Sequence, residues 1–285
     1  MFHRSATQSG QANRLLVDAS AEEQKFGPHR NPDRMVDASK FFAGMRLSLR
    51  TTGMSTESQP IHLVPLFVCL GLIVAFPIFS LSVQGSTAIL APRIGEISSR
   101  FATEGAIWLY AALVVSIALF GERRSLASIG MRRPTFGTVV WGFGAAVTLL
   151  AMGALASFVT YNVLHQPNRS PADVEALVGD SLVYALCLAV RGGVIEEIFY
   201  RGLAIEQLTV LTGQRWFAAL VATVFFIAVH ALRFDTPQLI PIATTSIGFA
   251  ALYVWRRNLW INIIAHVLID AIALGAVAVR ATSLY

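Results

Sequence analysis

Charged residues are scarce in this sequence. They make up 14% of the 285 residues, whereas hydrophobic residues make up 55% and the mean hydropathy is +0.60. The only two lysines, Lys25 and Lys40, lie near the N-terminus, so the formal net charge of +5 comes mostly from arginines. No basic patch has interleaved aromatic residues, which argues against a nucleic-acid partner. The composition is typical of a membrane protein.

Cysteine and alternating polarity are also lacking. Cys69 and Cys187 both lie within apolar runs and no CxxC motif occurs, so a disulfide framework is not expected. The apolar runs show no period-2 alternation, which argues against a membrane barrel. What remains is the pattern of a helical membrane protein.

Seven apolar stretches predict an all-α, polytopic transmembrane bundle. A helix needs roughly 20 residues to cross the hydrocarbon core, and several of the stretches reach that length. They are residues 63–85, 105–120, 136–163, 181–206, 216–232, 239–255 and 259–279. Residues 1–60 are polar and contain many Ser, Thr, Gln and Pro residues, which predicts a disordered tail ahead of a membrane domain over residues 61–285.

Arginines in the loops predict the orientation of the bundle. Cytoplasmic loops carry an excess of arginine and lysine. Residues 121–135 contain four arginines, and "RRN" at 256–258 adds two more. With seven spans, both loops fall on the same side as the N-terminal tail. We therefore expect a multi-pass protein of the cell (inner or cytoplasmic) membrane, with a cytoplasmic N-terminus and an outer C-terminus.

Ionisable residues inside the apolar stretches are concentrated in the last four. Each costs about 2.5–3.5 kcal/mol at the centre of a membrane helix on insertion scales, so such residues usually face a bundle interior or a wet cavity. The first three stretches contain essentially none. We expect Glu206 to be solvated at the interface, and Arg191 to pair with a glutamate or extend towards the interface. The full set is Arg191, Glu196, Glu197, Arg201, Glu206, His230, His266 and Asp270.

The stretch "GVIEEIFYRGL" places two adjacent carboxylates at membrane depth. Glu197 and Arg201 are four residues apart, so they share a helix face and can form an ion pair. Glu196 points about 100° away from Glu197 on a helix of 3.6 residues per turn. We expect Glu197 to stay ionised beside Arg201, while Glu196 faces a cavity and accepts a proton as a general base. The alternative is that Glu197 and Arg201 form an ion pair with a purely structural role.

The later stretches supply histidines. His266 and Asp270 are also four residues apart, and Asn262 lies one turn before His266. His230 ends the sequence "FIAVH" in the fifth stretch. Histidine exchanges protons near neutral pH, which suits a partner for a carboxylate base.

Together these motifs resemble a known family. "EEIFYR" fits EExxxR, "FIAVH" fits FxxxH, and "HVLID" fits HxxxN or HxxxD, in that order on three predicted helices. This ordered set resembles the CAAX-protease and bacteriocin-processing family, the type II CAAX prenyl endopeptidase-like intramembrane proteases. "SLASIGMRRP" at 125–134 resembles the basic loop often found ahead of that domain. The resemblance covers about residues 120–279, with the catalytic module at about 178–279.

The resemblance implies a role for each motif residue. The first glutamate of the family activates water, which corresponds to Glu196. The FxxxH histidine assists it, which corresponds to His230. The pair in the last helix stabilises the oxyanion, which corresponds to His266 and Asp270.

Three further residues are expected to support these groups: Glu197, Arg201 and Asn262. The family often has asparagine where this chain has Asp270, and an ionised aspartate cannot donate a hydrogen bond to an oxyanion. Either Asp270 orients His266, or it is protonated, or Asn262 is the donor. We favour the first.

Three functions compete. The first is a metal-free intramembrane endopeptidase, which needs no cofactor. The second is a zinc protease that binds the metal through Glu196, His230 and His266, with Asp270 as a further candidate ligand, although HExxH is missing. The third is a non-enzymatic scaffold or proton-coupled transporter that uses the buried acids as a relay. A serine protease is not favoured because no GxSG motif occurs.

If the protein is a metal-free intramembrane endopeptidase, its partners and its cavity can also be predicted. The partners are membrane lipid and a peptide or membrane-protein substrate, cleaved in a cavity of the last four helices that is open to the cytoplasm or the bilayer. The arginine-rich composition is interpreted as bacterial. The resemblance implies prenylated CAAX tails as substrates in eukaryotic relatives, whereas bacterial relatives are linked to bacteriocin self-immunity, peptide maturation or membrane-protein processing. The sequence does not choose among these.

Overall fold

The computed structural model describes residues 63–167, Val178 and residues 181–282. No strand occurs among these residues, and the predicted all-α fold is confirmed. Seven long helices follow one another, and α4 is continuous but changes its winding twice. Their bounds are α1 Leu63–Ile94, α2 Glu96–Gly121, α3 Phe136–Val163, α4 Leu182–Arg191 with Gly192–Ile205 and Glu206–Thr212, α5 Arg215–His230, α6 Thr236–Arg256 and α7 Leu259–Thr282.

Five helices in the described part of the chain are long and apolar enough to cross a membrane: α1, α2, α3, α6 and α7. Helix α5 has only 16 residues, and α4 carries several charged side chains. The multi-pass membrane protein predicted from the sequence is therefore supported by the helices themselves.

The second span differs from its prediction at one end. Helix α2 begins at Glu96 instead of residue 105. The apolar run alone does not mark the start of this helix, because its first turns contain the charged residues Glu96, Arg100 and Glu104. The expectation that the first three spans contain essentially no ionisable residues is therefore wrong for Glu104, which is 5% exposed.

Local sequence signals start several of these helices. Thr135 caps α3 and Asp235 caps α6, each in a reciprocal capping box with the residue three positions later. The side chain of Ser181 accepts a hydrogen bond from the backbone N–H of Tyr184 at the start of α4. Such caps satisfy N–H groups that have no partner within the helix.

The outer helices present large apolar side chains to their surroundings. Exposed examples on α1, α2 and α3 are Val64, Leu109, Phe120 and Phe136, all more than 70% exposed. Apolar exposure on this scale is unfavourable in water and typical of a surface that faces lipid.

Helix α7 lies at the centre of the bundle. It packs against α3 and α4, while α6 packs against α3 and α5, and α1 pairs with α2. One core cluster joins α1, α2 and α4 through Phe76, Ile107 and Phe199. Helices α4, α5 and α7 carry the candidate site residues, and α1 and α6 line the same cavity with them.

Some predictions fall outside the described residues. The tail of residues 1–60 lies there, as do most of the polar residues between α3 and α4. The domain boundaries at 60 and 178, and the cytoplasmic location of the N-terminus, stay predictions.

Candidate active site

The first motif lies in a π-helical segment of α4. Residues Gly192–Ile205 form a run with wider turns than an α-helix. Such windings are rare and often occur at functional sites. The α-helical period assumed from the sequence is therefore wrong here, but the separation of the two glutamates holds. Glu197 is fully buried, whereas Glu196 is half-buried and lines a cavity.

Glu197 is the centre of a buried hydrogen-bond network. Its Oε1 accepts hydrogen bonds from Arg201 Nη1 at 2.9 Å and from His266 Nδ1 at 2.8 Å. Its Oε2 accepts one from Asn262 Nδ2 at 3.1 Å. A carboxylate with this many donors is well compensated for its burial. Glu197 therefore holds three residues of the site in fixed positions.

Arg201 is equally enclosed. Its side chain is 2% exposed, and Nη2 donates to Ser246 Oγ at 3.0 Å on α6. Its guanidinium carbon lies 4.6 Å from the centre of the Phe226 ring on α5, an attractive cation–π distance. The one arginine thus joins α4 to both α5 and α6.

His266 is oriented by two carboxylates. Its Nδ1 faces Glu197, and its Nε2 lies 3.5 Å from Asp270 Oδ2, longer than a good hydrogen bond. Its ring stacks on Phe249, with 4.9 Å between the ring centres. The amide nitrogen of Asn262 is used by Glu197 and by the Phe249 carbonyl oxygen. The Asn262 amide nitrogen therefore donates to these two acceptors, and Asp270 is the residue beside His266 Nε2.

A cavity of about 310 Å³ lies above this network. The predicted catalytic residues Glu196, His230, His266 and Asp270 all line it. A methyl group built onto Gly192 would lie 3.0 Å from Asp270 Oδ2 and 3.7 Å from Glu196 Oε1, so both carboxylates border one small space. The volume is at the lower end of the range typical of ligand sites. The structure therefore brings the four predicted residues together around one cavity.

His230 is presented to the cavity with a defined tautomer. Its Nδ1 lies 2.8 Å from the carbonyl oxygen of Phe226, one turn earlier in α5. A carbonyl oxygen only accepts, so Nδ1 carries the proton and Nε2 is left as the basic nitrogen. This arrangement suits a group that accepts or passes on a proton.

The sequence analysis did not identify Glu104 as a charged partner of the site. Arg191 also lines the cavity, and its Nε lies 3.0 Å from Glu104 Oε2 on α2. The Tyr184 hydroxyl donates to Glu104 Oε1 at 3.4 Å. The expectation that Arg191 pairs with a glutamate is correct, but the partner was excluded because the second span was started at residue 105.

The solvent exposure of Glu206 also differs from the prediction. The residue is 6% exposed instead of solvated. Its two oxygens face the Tyr253 hydroxyl at 3.0 Å and Arg257 Nη2 at 2.9 Å. The sequence placed it near a span end, but the loop after α6 covers it and supplies the compensating charge.

The zinc alternative requires several donor atoms that converge on one point. Among the described residues, no group of three histidine, cysteine, aspartate or glutamate side chains is close enough together to hold a metal ion. In the predicted set, His266 has one nitrogen on Glu197 and the other facing Asp270. A zinc centre needs at least three protein ligands directed at one point. The donor set in this arrangement does not fit zinc.

One part of the chain matches a known protein family. Residues 178–272 match the model of a family described as Type II CAAX prenyl endopeptidase Rce1-like. The chain is similar to that family over this segment. The resemblance inferred from the motifs is thereby confirmed, and all of the candidate residues from Arg191 to Asp270 fall inside the matched Rce1-like segment. No curated protein and no solved structure matches the chain.

The Rce1-like segment includes only part of the ion-pair system. Glu104 lies well before residue 178, on a helix that the family match does not reach. The match supports a CAAX-type intramembrane protease in general terms. It does not assign roles to single residues.

Proposed function

We propose that this protein is an intramembrane endopeptidase that uses a glutamate-activated water. The observation that carries the proposal is the pairing of two adjacent glutamates with opposite surroundings. Glu197 has three hydrogen-bond donors and is fully buried, whereas Glu196 borders the cavity beside two histidines and Asp270. The substrates are CAAX-like or other membrane-associated peptides, consistent with the Rce1-like segment.

Peptide hydrolysis needs a base for the attacking water and a donor for the developing oxyanion. Glu196 takes the proton from a water in the cavity. His230, with Nε2 as its basic nitrogen, receives that proton and passes it to the leaving amine. His266, when protonated at Nε2, donates to the oxyanion, and Asp270 orients its ring. Glu197, Arg201 and Asn262 hold His266 and the π-helical segment in place.

The decisive experiment measures cleavage of quenched fluorescent CAAX-like peptides by purified full-length protein in liposomes. Glu196→Gln keeps the shape of the side chain and removes the base, so we expect cleavage to fall by about 100-fold or more. Glu96→Gln is the matched control, because the side chain of Glu96 is exposed on α2 and does not line the cavity. That variant should cleave like the wild type.

A chelator arm separates the competing functions. Wild-type cleavage that survives chelation supports the metal-free protease. Cleavage lost on chelation and restored by zinc overturns it in favour of the zinc protease. A folded wild type that cleaves no peptide in the library, but carries protons across the liposome membrane in a Glu196-dependent way, supports the transporter instead.

A further inference from the structure

Two tryptophans and an arginine form a compact surface cluster where α3 begins and α6 ends. The cluster, termed the tryptophan–arginine cluster, consists of Trp141, Trp255 and Arg256. The guanidinium carbon of Arg256 lies 4.3 Å from the centre of the Trp141 ring and 5.2 Å from that of the Trp255 ring. The two indole rings meet edge to face, with 5.6 Å between their centres. The arginine is thus held against two aromatic rings, which are 42% and 65% exposed.

Hydrogen bonds between loops hold the cluster in place. Asn258 Nδ2 donates to Thr138 Oγ1 at 3.3 Å, which joins the end of α6 to the first turn of α3. The backbone nitrogen of Leu259 donates to the carbonyl oxygen of Gly130 at 2.9 Å, which joins the start of α7 to the loop before α3. These contacts bring the loop between α2 and α3 to the same end of the bundle as the cluster.

Arginines outnumber acidic residues at this end of the bundle. The loop between α2 and α3 and the turn between α6 and α7 contain Glu122 and the arginines Arg123, Arg124, Arg132, Arg133, Arg256 and Arg257. Glu122 pairs with Arg124 at 2.7 Å, and Glu206 of α4 pairs with Arg257 at 2.9 Å. No carboxylate of the described residues forms an ion pair with Arg132, Arg133 or Arg256.

The donors of Arg256 are directed away from the rings. Stacking uses the face of the guanidinium group, whereas its five N–H groups lie in its plane. In the described part of the chain, these N–H groups make no hydrogen bond to the protein. Arginine binds phosphate with two parallel hydrogen bonds and can stack on an aromatic ring at the same time. Arg256 therefore offers an oriented site for a phosphate group.

Two more arginines lie just beyond the cluster. Arg132 and Arg133 are exposed in the loop immediately before α3. Trp141 lies in the second turn of that helix, about 8 Å along the axis from Phe136. Tryptophan is enriched at the level of the lipid headgroups. The loop arginines therefore add positive charge on the headgroup side of the two indoles.

The surface next to the cluster is apolar. Phe136, Val140, Phe143 and Val147 recur at helical spacing and so share one face of α3. They are between 53% and 85% exposed, as expected of side chains that contact acyl chains. A ligand at this position therefore meets positive charge at one end and an apolar helix face along the rest of its length.

We propose that the tryptophan–arginine cluster binds the phosphate headgroup of an anionic membrane phospholipid. Arg256 contacts the phosphate in the plane of its guanidinium group, Arg132 and Arg133 compensate the negative charge, and the acyl chains lie along the exposed face of α3. Basic pockets between membrane helices bind anionic headgroups in this way. None of the three cluster residues lines the cavity, so the inference does not depend on the proposed endopeptidase activity.

Tryptophan quenching by brominated lipids reports on lipid at the cluster. A full-length protein with Trp108→Phe, Trp216→Phe and Trp260→Phe keeps only Trp141 and Trp255. This parent protein is reconstituted into mixtures of zwitterionic phosphatidylcholine and anionic phosphatidylglycerol, in which one of the two lipids is brominated. The quenched fraction, compared with the mole fraction of brominated lipid, gives the preference of the cluster for each lipid.

We expect the parent to prefer the anionic lipid by about fivefold, the factor typical of one basic residue near an anionic surface. Arg256→Gln should lower this preference to near one. Arg93→Gln is the control and should keep it, because Arg93 is exposed at the end of α1 and is not part of the cluster. Equal quenching by both lipids in the parent, or an unchanged preference in Arg256→Gln, overturns the proposal.

Two additions separate a headgroup site from other sources of attraction. Sodium chloride at about 1 M shortens the Debye length to about 3 Å, so part of the preference should remain if Arg256 contacts the phosphate directly. Complete loss means that only a diffuse surface potential acts, and overturns the site. Inorganic phosphate at matched ionic strength should not displace the lipid. Displacement assigns the site to a free anion instead.

Native mass spectrometry makes the same test without tryptophan substitutions. Delipidated wild-type protein in detergent is titrated with each lipid, and the bound lipids are counted. The wild type should retain one more phosphatidylglycerol than Arg256→Gln, with no difference for phosphatidylcholine. Thermal unfolding of the two proteins at the same temperature shows that both are folded. Equal retention of phosphatidylglycerol by the two folded proteins overturns the proposal.

Discussion

Two neighbouring residues of the same type have different surroundings in this protein. Glu197 is fully buried and receives hydrogen bonds from α4 and α7, whereas Glu196 faces the cavity. The difference comes from where each side chain points after one residue of helical rotation. In the proposed mechanism, Glu197 has a structural role and Glu196 takes part in proton transfer.

This contrast predicts that the two glutamates differ in their effect on stability. Glu197→Gln removes the charge that compensates the buried Arg201, so the free energy of unfolding should fall by about 3 kcal/mol. Glu196→Gln should leave it nearly unchanged, since Glu196 has no such partner in the network. The measurement is denaturant-induced unfolding in detergent micelles. Equal destabilisation by the two substitutions would show that Glu196 also has a structural role.

At the scale of elements, the contact between α4 and α7 determines the site. A methyl group built onto Gly193 would lie 2.5 Å from Val267 Cγ2 and 2.7 Å from the Val267 backbone nitrogen. Only glycine permits this approach, because a backbone atom cannot move aside as a flexible side chain can. The close contact brings His266 and Asp270 next to the π-helical segment.

Gly193→Ala should therefore lower both stability and cleavage. Overpacking of a close contact costs about 1–3 kcal/mol, and separation of α4 from α7 would lengthen the bond from His266 to Glu197. Gly144→Ala is the control, because a methyl group on Gly144 of α3 meets nothing within 4 Å. Thermal unfolding and the peptide assay should place the control at wild-type values. A Gly193→Ala protein with normal stability would contradict the close contact.

For the whole molecule, the helices ahead of the Rce1-like segment contribute to the site. Glu104 on α2 pairs with Arg191, which lines the cavity. Both side chains are nearly buried, at 7% and 12% exposure. The matched segment of residues 178–272 therefore depends on an earlier helix for charge compensation.

A double-mutant cycle with Glu104→Gln and Arg191→Gln measures this dependence. We expect a coupling energy of about 1 kcal/mol or more in the free energy of unfolding, because the two groups are in contact. The double variant should be less destabilised than the sum of the single variants. Additive effects would mean that the two side chains do not interact in the folded protein.

The helices and the side-chain pairs within one helix follow from local sequence. The length of an apolar run and the need to satisfy every backbone hydrogen bond inside a membrane are local constraints, so seven helices follow from seven runs. Glu197 with Arg201, and His266 with Asp270, are four residues apart on one helix, and this spacing alone predicts that they are neighbours. Glu196 and His230 could also be identified from the sequence, because ionisable side chains inside apolar stretches are rare.

The remaining partners come from other helices and depend on tertiary packing. Asn262 reaches Glu197, Glu104 reaches Arg191, and Arg257 reaches Glu206 across 51 to 87 residues of chain. No local pattern encodes such contacts, because they depend on how α2, α4, α6 and α7 pack. The cavity is lined by α1, α4, α5, α6 and α7 together, so its position is likewise a property of the assembled helices.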